Sequence, residues 1–211
     1  MAPFYGSQKP ATFAKWHAET PDDCVFSVKA PRFATNRRML AEAGSSIERF
    51  FASGINELKN KLGPILWQFL PTKQFDAADF EGFLQLLPRE LGSRALRHVR
   101  EVRHDSFVCP EFISMVRTYG IGIVQAGDSK YSEIIDRTAD FSYLRIKGTT
   151  EVESPGYSEA ALAIWSAKAK ELAAGDNVYM YVISGFKQRN PLAAMALIYK
   201  LNPKAVIPDI R

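Results

Sequence analysis

The sequence predicts an α/β fold of the TIM type, a (β/α) barrel whose functional face lies at the C-terminal ends of its strands. Three observations predict it. Six apolar runs alternate with helical patterns along the 211 residues, which is the signature of parallel strands joined by helical crossovers. Several runs are polar on one face only: Tyr143, Arg145 and Lys147 alternate with Leu144 and Ile146, Ser27 and Lys29 with Phe26 and Val28, and Glu101 and Arg103 with Val102. An open doubly wound sheet buries its central strands on both faces, whereas a barrel interior can turn polar near its mouth. Finally, three runs end in charge, and charge at the exit of a buried strand is costly unless it is paired or meets a ligand.

The elements follow in order. Ala11 to Glu19 reads as a short helix with Thr12 as a cap, and Cys24 to Ala30 as the first strand. Ser45 to Lys61 is expected to be one helix, because Ile47, Phe50, Phe51, Ile55 and Leu58 recur at three- to four-residue spacing. Lys59 and Lys61 fall on its solvated face. Ile65 to Leu70 is the second strand. Asp76 to Leu87 is a helix with acidic residues in its first turn and Phe80, Phe83, Leu84 and Leu87 on one face. Ala95 to Arg103 is the third strand. The helix Pro110 to Tyr119 begins with proline, favoured in a first turn, and stops before Gly120. Strands at Ile121 to Ala126 and Phe141 to Lys147 precede a helix from Tyr157 to Ala174. A strand at Val178 to Ser184 and a helix at Pro191 to Leu201 complete the set. No linker or composition break divides the chain, so residues 1–203 read as one domain and 204–211 as a tail.

Composition bounds the function. With 46% hydrophobic and 24% charged residues, the chain resembles an ordinary globular protein. Its net charge of +4, from 27 basic and 23 acidic residues, is a mild bias towards anions, so an anion site must come from local clustering. The two cysteines, Cys24 and Cys109, imply no disulfide framework and fit a reducing compartment; a cytoplasmic location is expected. No apolar run approaches the roughly 20 residues of a membrane helix, and no secretory signal opens the chain. There is no Walker loop, no glycine-rich dinucleotide fingerprint, no nucleophile elbow and no zinc-ligand spacing, so no cofactor is indicated.

The charged strand ends are the candidate site. Lys29 and Arg32 follow the first strand, Gln68 the second, Glu101, Arg103, His104 and Asp105 the third, Asp128 the fourth, and Arg145 and Lys147 the fifth. Cations outnumber anions, which suits a phosphate, a carboxylate or a nucleic-acid backbone. Lys29, Arg32, Gln68, Arg103, Asp128, Arg145 and Lys147 are the expected ligand-binding residues. If the site catalyses a hydrolysis, Glu101 is the expected base, held by its ion pair, with His104 assisting. The alternatives are a structural ion-pair network in which Glu101 neutralises a neighbouring cation, and a divalent-metal site built from Glu101, Asp105 and Asp128. Phe4, Tyr5 and Trp16 could stack on a base, although aromatic residues beside a helix are usually core. His17 and His98 read as structural or exposed.

Four segments in this order resemble the YecE-like family, known as domain of unknown function 72. They are Phe26-Ser27-Val28-Lys29-Ala30-Pro31-Arg32, Leu62-Gly63-Pro64-Ile65-Leu66-Trp67-Gln68-Phe69, Glu101-Val102-Arg103-His104-Asp105-Ser106-Phe107 and Tyr143-Leu144-Arg145-Ile146-Lys147-Gly148. The resemblance spans Phe4 to Leu201 and implies a TIM-type barrel without an established activity. A distant similarity to endonuclease-IV-type barrels makes phosphodiester chemistry an analogy only. The chain departs from the family pattern at Asn36 and Lys147, where relatives carry histidine, and at Ile183-Ser184, where they carry paired asparagines. It also lacks the first β-α-β unit, leaving six strands where a closed barrel needs eight, so an incomplete, N-terminally truncated barrel is expected.

The expected function is the binding of an anionic ligand, a phosphorylated small molecule or a nucleic acid, at the C-terminal face of the barrel. The competing expectation is a non-enzymatic binding or accessory module, or a decayed copy, whose charges are structural.

Overall fold

The computed structural model describes residues 8–175 and 177–205. The chain is an α/β protein that divides into two compact units, Met1–Ile123 and Val124–Arg211. Its main sheet has six strands, each parallel to its neighbours.

The first unit opens with helix α1 (Pro10–Glu19), followed by strand β1 (Phe26–Lys29) and the single turn α2 (Arg32–Thr35). Helix α3 (Gly44–Phe51) and a 3₁₀ segment (Ile55–Lys61) lead into β2 (Leu62–Gln68), and α4 (Ala77–Gln85) follows. A small antiparallel hairpin, β3 (Glu90–Leu91) with β4 (Arg94–Ala95), precedes β5 (His98–Glu101), α5 (Pro110–Thr118) and β6 (Gly122–Gln125). The strand order is β1-β2-β5-β6. Strand β2 is buried from Leu62 to Trp67, which explains why it reads as a continuous apolar run. Its Trp67 packs edge-to-face on Phe50 and Phe83, with ring centroids 5.7 and 5.5 Å away. A second aromatic cluster joins Phe75, Phe80, Phe107 and Phe112 beneath α4 and α5.

The second unit contains the end of β6, β7 (Phe141–Ile146), α6 (Glu159–Ala173), β8 (Asn177–Val182) and α7 (Asn190–Leu201). Val124 and Gln125 pair with Tyr143 and Leu144 of β7, and β7 pairs along its whole length with β8. Its core is Ile146, Tyr157, Leu162, Ala193 and Leu197. Ser158 caps α6 by accepting a hydrogen bond from the Ala161 amide at 3.2 Å.

Among the described residues β1 and β8 each pair on one side only, so the strands do not form a closed barrel there. The TIM-type expectation therefore holds only as parallel strands alternating with helices.

Several local expectations need correction. The helix expected over Ser45 to Lys61 breaks after Phe51, because Gly54 adopts φ +94°, a left-handed conformation that a side chain disfavours. A Cβ there would stand 2.6 Å from Pro10, so glycine also permits the close approach of α1. Lys61 is not solvated. It is 2% exposed, and its ammonium donates to the carbonyls of His17 and Thr20 at 2.7 Å each, satisfying the end of α1. The strand expected over Ala95 to Arg103 is two pieces: Ala95 belongs to the hairpin and β5 starts at His98. Trp16 stacks on Phe26 with centroids 6.0 Å apart, a packing role; Phe4 and Tyr5 lie outside the described residues, as do residues 206–211 of the expected tail.

Candidate functional site

The parallel register places the site residues of the first unit. Gln68 and Glu101 are aligned partners at the C-terminal ends of β2 and β5, and Lys29 ends β1 beside them. Because side chains alternate along a strand, Gln68 and Glu101 share one face of the sheet while Trp67 and Arg100 share the other. On the first face Lys29 donates from its ammonium to Gln68 Oε1 in a short hydrogen bond. Gln68 Nε2 donates to Glu101 Oε1 at 3.2 Å. Arg103 donates to the same oxygen from Nε at 3.1 Å and from Nη2 at 2.8 Å. Glu101 is 1% exposed. The row Lys29–Gln68–Glu101–Arg103 is thus a continuous network of charge-assisted hydrogen bonds, with Arg103 directly on the carboxylate and Lys29 joined to it through Gln68.

Arg32 sits at the start of α2, just past β1. Together with Asn36, Gln68 and Arg103 it lines a small notch of about 20 Å³ at the strand ends. This notch shares Thr35, Asn36 and Leu70 with a wider groove of about 470 Å³, walled by the loop after β1 (Asn36, Arg37, Arg38) and the loop after β2 (Thr72, Lys73, Gln74, Asp76). Both loops are held firmly. The buried carboxylate of Asp79 on α4 accepts from the Ala41 amide at 2.9 Å and from the Lys73 ammonium at 2.7 Å, and Lys73 also donates to Arg38 O at 2.7 Å. Arg37 donates to Phe33 O, Glu42 O and Ser46 Oγ, which fixes the first loop from the other side.

His104 lies beside this network and is partly buried. Its Nδ1 accepts from the Ser106 amide at 3.2 Å and faces Ser106 Oγ at 2.9 Å, so the imidazole orients the turn that begins at Asp105.

Asp128, Arg145 and Lys147 belong to the second unit. Asp128 has φ +55°, unusual for a residue with a side chain. Its Oδ2 accepts from the Tyr157 hydroxyl at 2.9 Å, and that hydroxyl in turn accepts from the Gly148 amide at 2.7 Å. A Cβ on Gly148 would stand 2.6 Å from the Asp128 carboxylate, so this approach also needs glycine. Burial, followed by the bond to Asp128, raises the Tyr157 hydroxyl well above the usual tyrosine range, leaving it neutral. Burial lowers Arg145 to about 10, still a cation at neutral pH.

Sequence reasoning marked Asn36 only as a departure from the family pattern and missed the other groove residues. Their only signal was position: polar residues in loops that follow strand C-termini. It also missed Arg100, on the helix-facing side of β5. Arg100 is fully buried with its guanidinium 5.7 Å from the Trp67 ring centroid and 5.3 Å from that of Phe83, and none of its three side-chain nitrogens has a hydrogen-bond partner. Burial depresses its pKa well below the usual arginine value. Among the described residues no three His, Cys, Asp or Glu side chains gather as metal ligands. No helix among them is long and apolar enough to cross a membrane.

A family model described as a protein of unknown function, DUF72, matches residues 2–210. The chain belongs to this family. Two solved structures of DUF72 proteins share its fold. One, from Thermotoga maritima, is 22% identical, with 96% of this chain and 82% of that chain covered and a TM-score of 0.69. The other, from Enterococcus faecalis, is 14% identical, with 94% and 86% covered and a TM-score of 0.73. No curated protein matches the chain. At these identities the DUF72 structures establish the fold alone.

Proposed function

We propose that this DUF72 protein binds an anionic, phosphate-containing ligand at the strand ends of its first unit. One observation carries the reading: Arg103 pairs with Glu101, Lys29 is linked to the same carboxylate through Gln68, and Arg32, Gln68 and Arg103 border a notch at the strand ends. Two guanidinium groups at one notch favour an anion, because a guanidinium presents paired donors to phosphate oxygens. Asp128, Arg145 and Lys147 of the second unit are likewise proposed as ligand-binding residues.

A second reading, a binding module whose charges are structural, is supported by the burial of Glu101 and its engagement by Arg103 and Gln68. A base must reach its proton, and this carboxylate is enclosed. Catalysis by Glu101 with help from His104 therefore stands behind binding in this proposal.

Thermal unfolding with inorganic phosphate and pyrophosphate tests it. At a hundredfold excess over Kd the midpoint should rise by about 5 °C or more, since ligand binding adds to stability by mass action. Arg32→Gln, a partly exposed position, should remove the rise while leaving the unliganded midpoint in place. No rise with either anion would end the proposal.

A further inference from the structure

The two end strands of the main sheet differ in how their open edges are protected. Strand β1 has four residues, shifts register between Phe26 and Val28, and ends at Lys29, two residues before Pro31. A short length, a bulge, a lysine and a proline are the devices that keep an edge from pairing with another chain. Strand β8 has none of them. It runs for six residues, Asn177–Val182, in unbroken register with β7 and contains no charge and no proline. The Ile183 amide donates to Ile146 O on the β7 side. By alternation the backbone groups of Val178, Met180 and Val182 point the other way, where no described strand pairs with them.

Helix α7 adjoins this edge strand: Met180 and Val182 pack against the core that contains its Ala193 and Leu197. The opposite face of the helix is apolar as well. Leu192, Ile198 and Tyr199 lie there at helical spacing, 42, 43 and 44% exposed, around a half-buried Met195. Lys200 is the one charged side chain of the helix, and Glu159 of α6 pairs with it. A helix that is apolar on all sides is ordinarily buried on all sides, so the outer stripe marks a surface that a partner covers.

We propose that the partner is a second copy of this chain, in a two-fold dimer whose β8 strands pair antiparallel and whose α7 helices pack side by side. One symmetry operator satisfies both features. A two-fold axis perpendicular to the sheet at the β8 edge pairs the strands antiparallel and brings both helices together on the same face of the joined sheet. Self-pairing sets no like charges against each other, because β8 and the outer stripe of α7 carry none. It also consumes the open edge, so assembly stops at two chains. A six-residue strand and one side of a twelve-residue helix are small against the roughly 20–30 residues a side of a stable interface, so the dimer is a dissociable one.

Sedimentation equilibrium of the full chain from about 1 to 200 μM, the range in which a small interface dissociates, tests it. The mass should rise from one chain to two and stop there. Ile198→Glu and Tyr199→Glu, both at exposed positions, should each hold the mass at one chain over the whole range while the circular dichroism spectrum stays unchanged. Amide hydrogen exchange at the highest concentration should slow tenfold or more at Val178, Met180 and Val182 relative to the Ile198→Glu variant, a readout that contact between helices alone would not move. A mass of one chain at the top of the range overturns the proposal. So does a mass that climbs past two chains, a dimer that both substitutions leave intact, or a dimer whose three β8 amides exchange as fast as in the variant.

Discussion

Trp67 and His98 share a hydrogen bond inside the first unit: the indole Nε1 donates to His98 Nδ1 at 3.1 Å. The bond makes Nδ1 the acceptor and leaves Nε2 to donate to the carbonyl of Pro88 at 2.8 Å. Two elements distant in sequence, β2 and the turn after α4, are thereby joined through one neutral imidazole. Burial, helped by the charge of Arg100, pulls its pKa from 6.5 down to about 4.

The first prediction is a pH dependence of stability. The unfolded chain protonates His98 near pH 6.5 and the folded chain only near 4, so the unfolded state binds more protons between these values. Stability is then full above about pH 7 and falls as pH drops through that window. Between pH 7.5 and 5 this group alone should cost about 2 kcal/mol. Urea unfolding of the native protein and of His98→Asn at both pH values checks it. The difference between the two slopes should show the loss, and equal slopes would refute it.

Arg100 gives the second. A guanidinium without a hydrogen-bonding partner, packed between Trp67 and Phe83, loses its hydration and regains only ring contacts. Arg100→Met keeps most of the volume and removes the charge. It should raise stability by roughly 1–3 kcal/mol, in line with the replacement of buried charge by apolar side chains. A lowered unfolding midpoint in denaturant would mean that the guanidinium is compensated in solution.

Lys61 gives the third, with the opposite sign. Its ammonium satisfies two carbonyls at the end of α1, with Asp22 3.8 Å away. Lys61→Ala strands both carbonyls and opens a hole, so a loss of about 3 kcal/mol is expected. Amide hydrogen exchange should localise the loosening to α1 and the 3₁₀ segment before β2. Unchanged protection there would count against the capping role.

Much of the candidate site was legible because its charges close apolar runs. Lys29, Gln68, Glu101 and Arg103 were readable as neighbours once the strands were taken as parallel, and their hydrogen bonds follow that register. The groove was not legible. Thr72 and Gln74 lie in a loop, where no period marks one residue as facing another, and the Asp79 tether joins positions 38 residues apart. The misread helix has a similar cause. Hydrophobic spacing continues through Gly54 and conceals a break that the backbone makes at that one residue.

The sequence by itself determined the α/β class, the order of the six principal strands, the family, and the gathering of cations at strand ends. These are local or periodic properties, carried by burial pattern and by charge at fixed positions. Only the tertiary structure decided which charges are sealed and which border open space. It buried Lys61 and Arg100, enclosed Glu101, and left Arg32 and Arg103 bordering a notch whose lining shares Thr35, Asn36 and Leu70 with a polar groove. Exposure depends on what the rest of the chain packs over a residue, and no window of neighbouring residues contains that information.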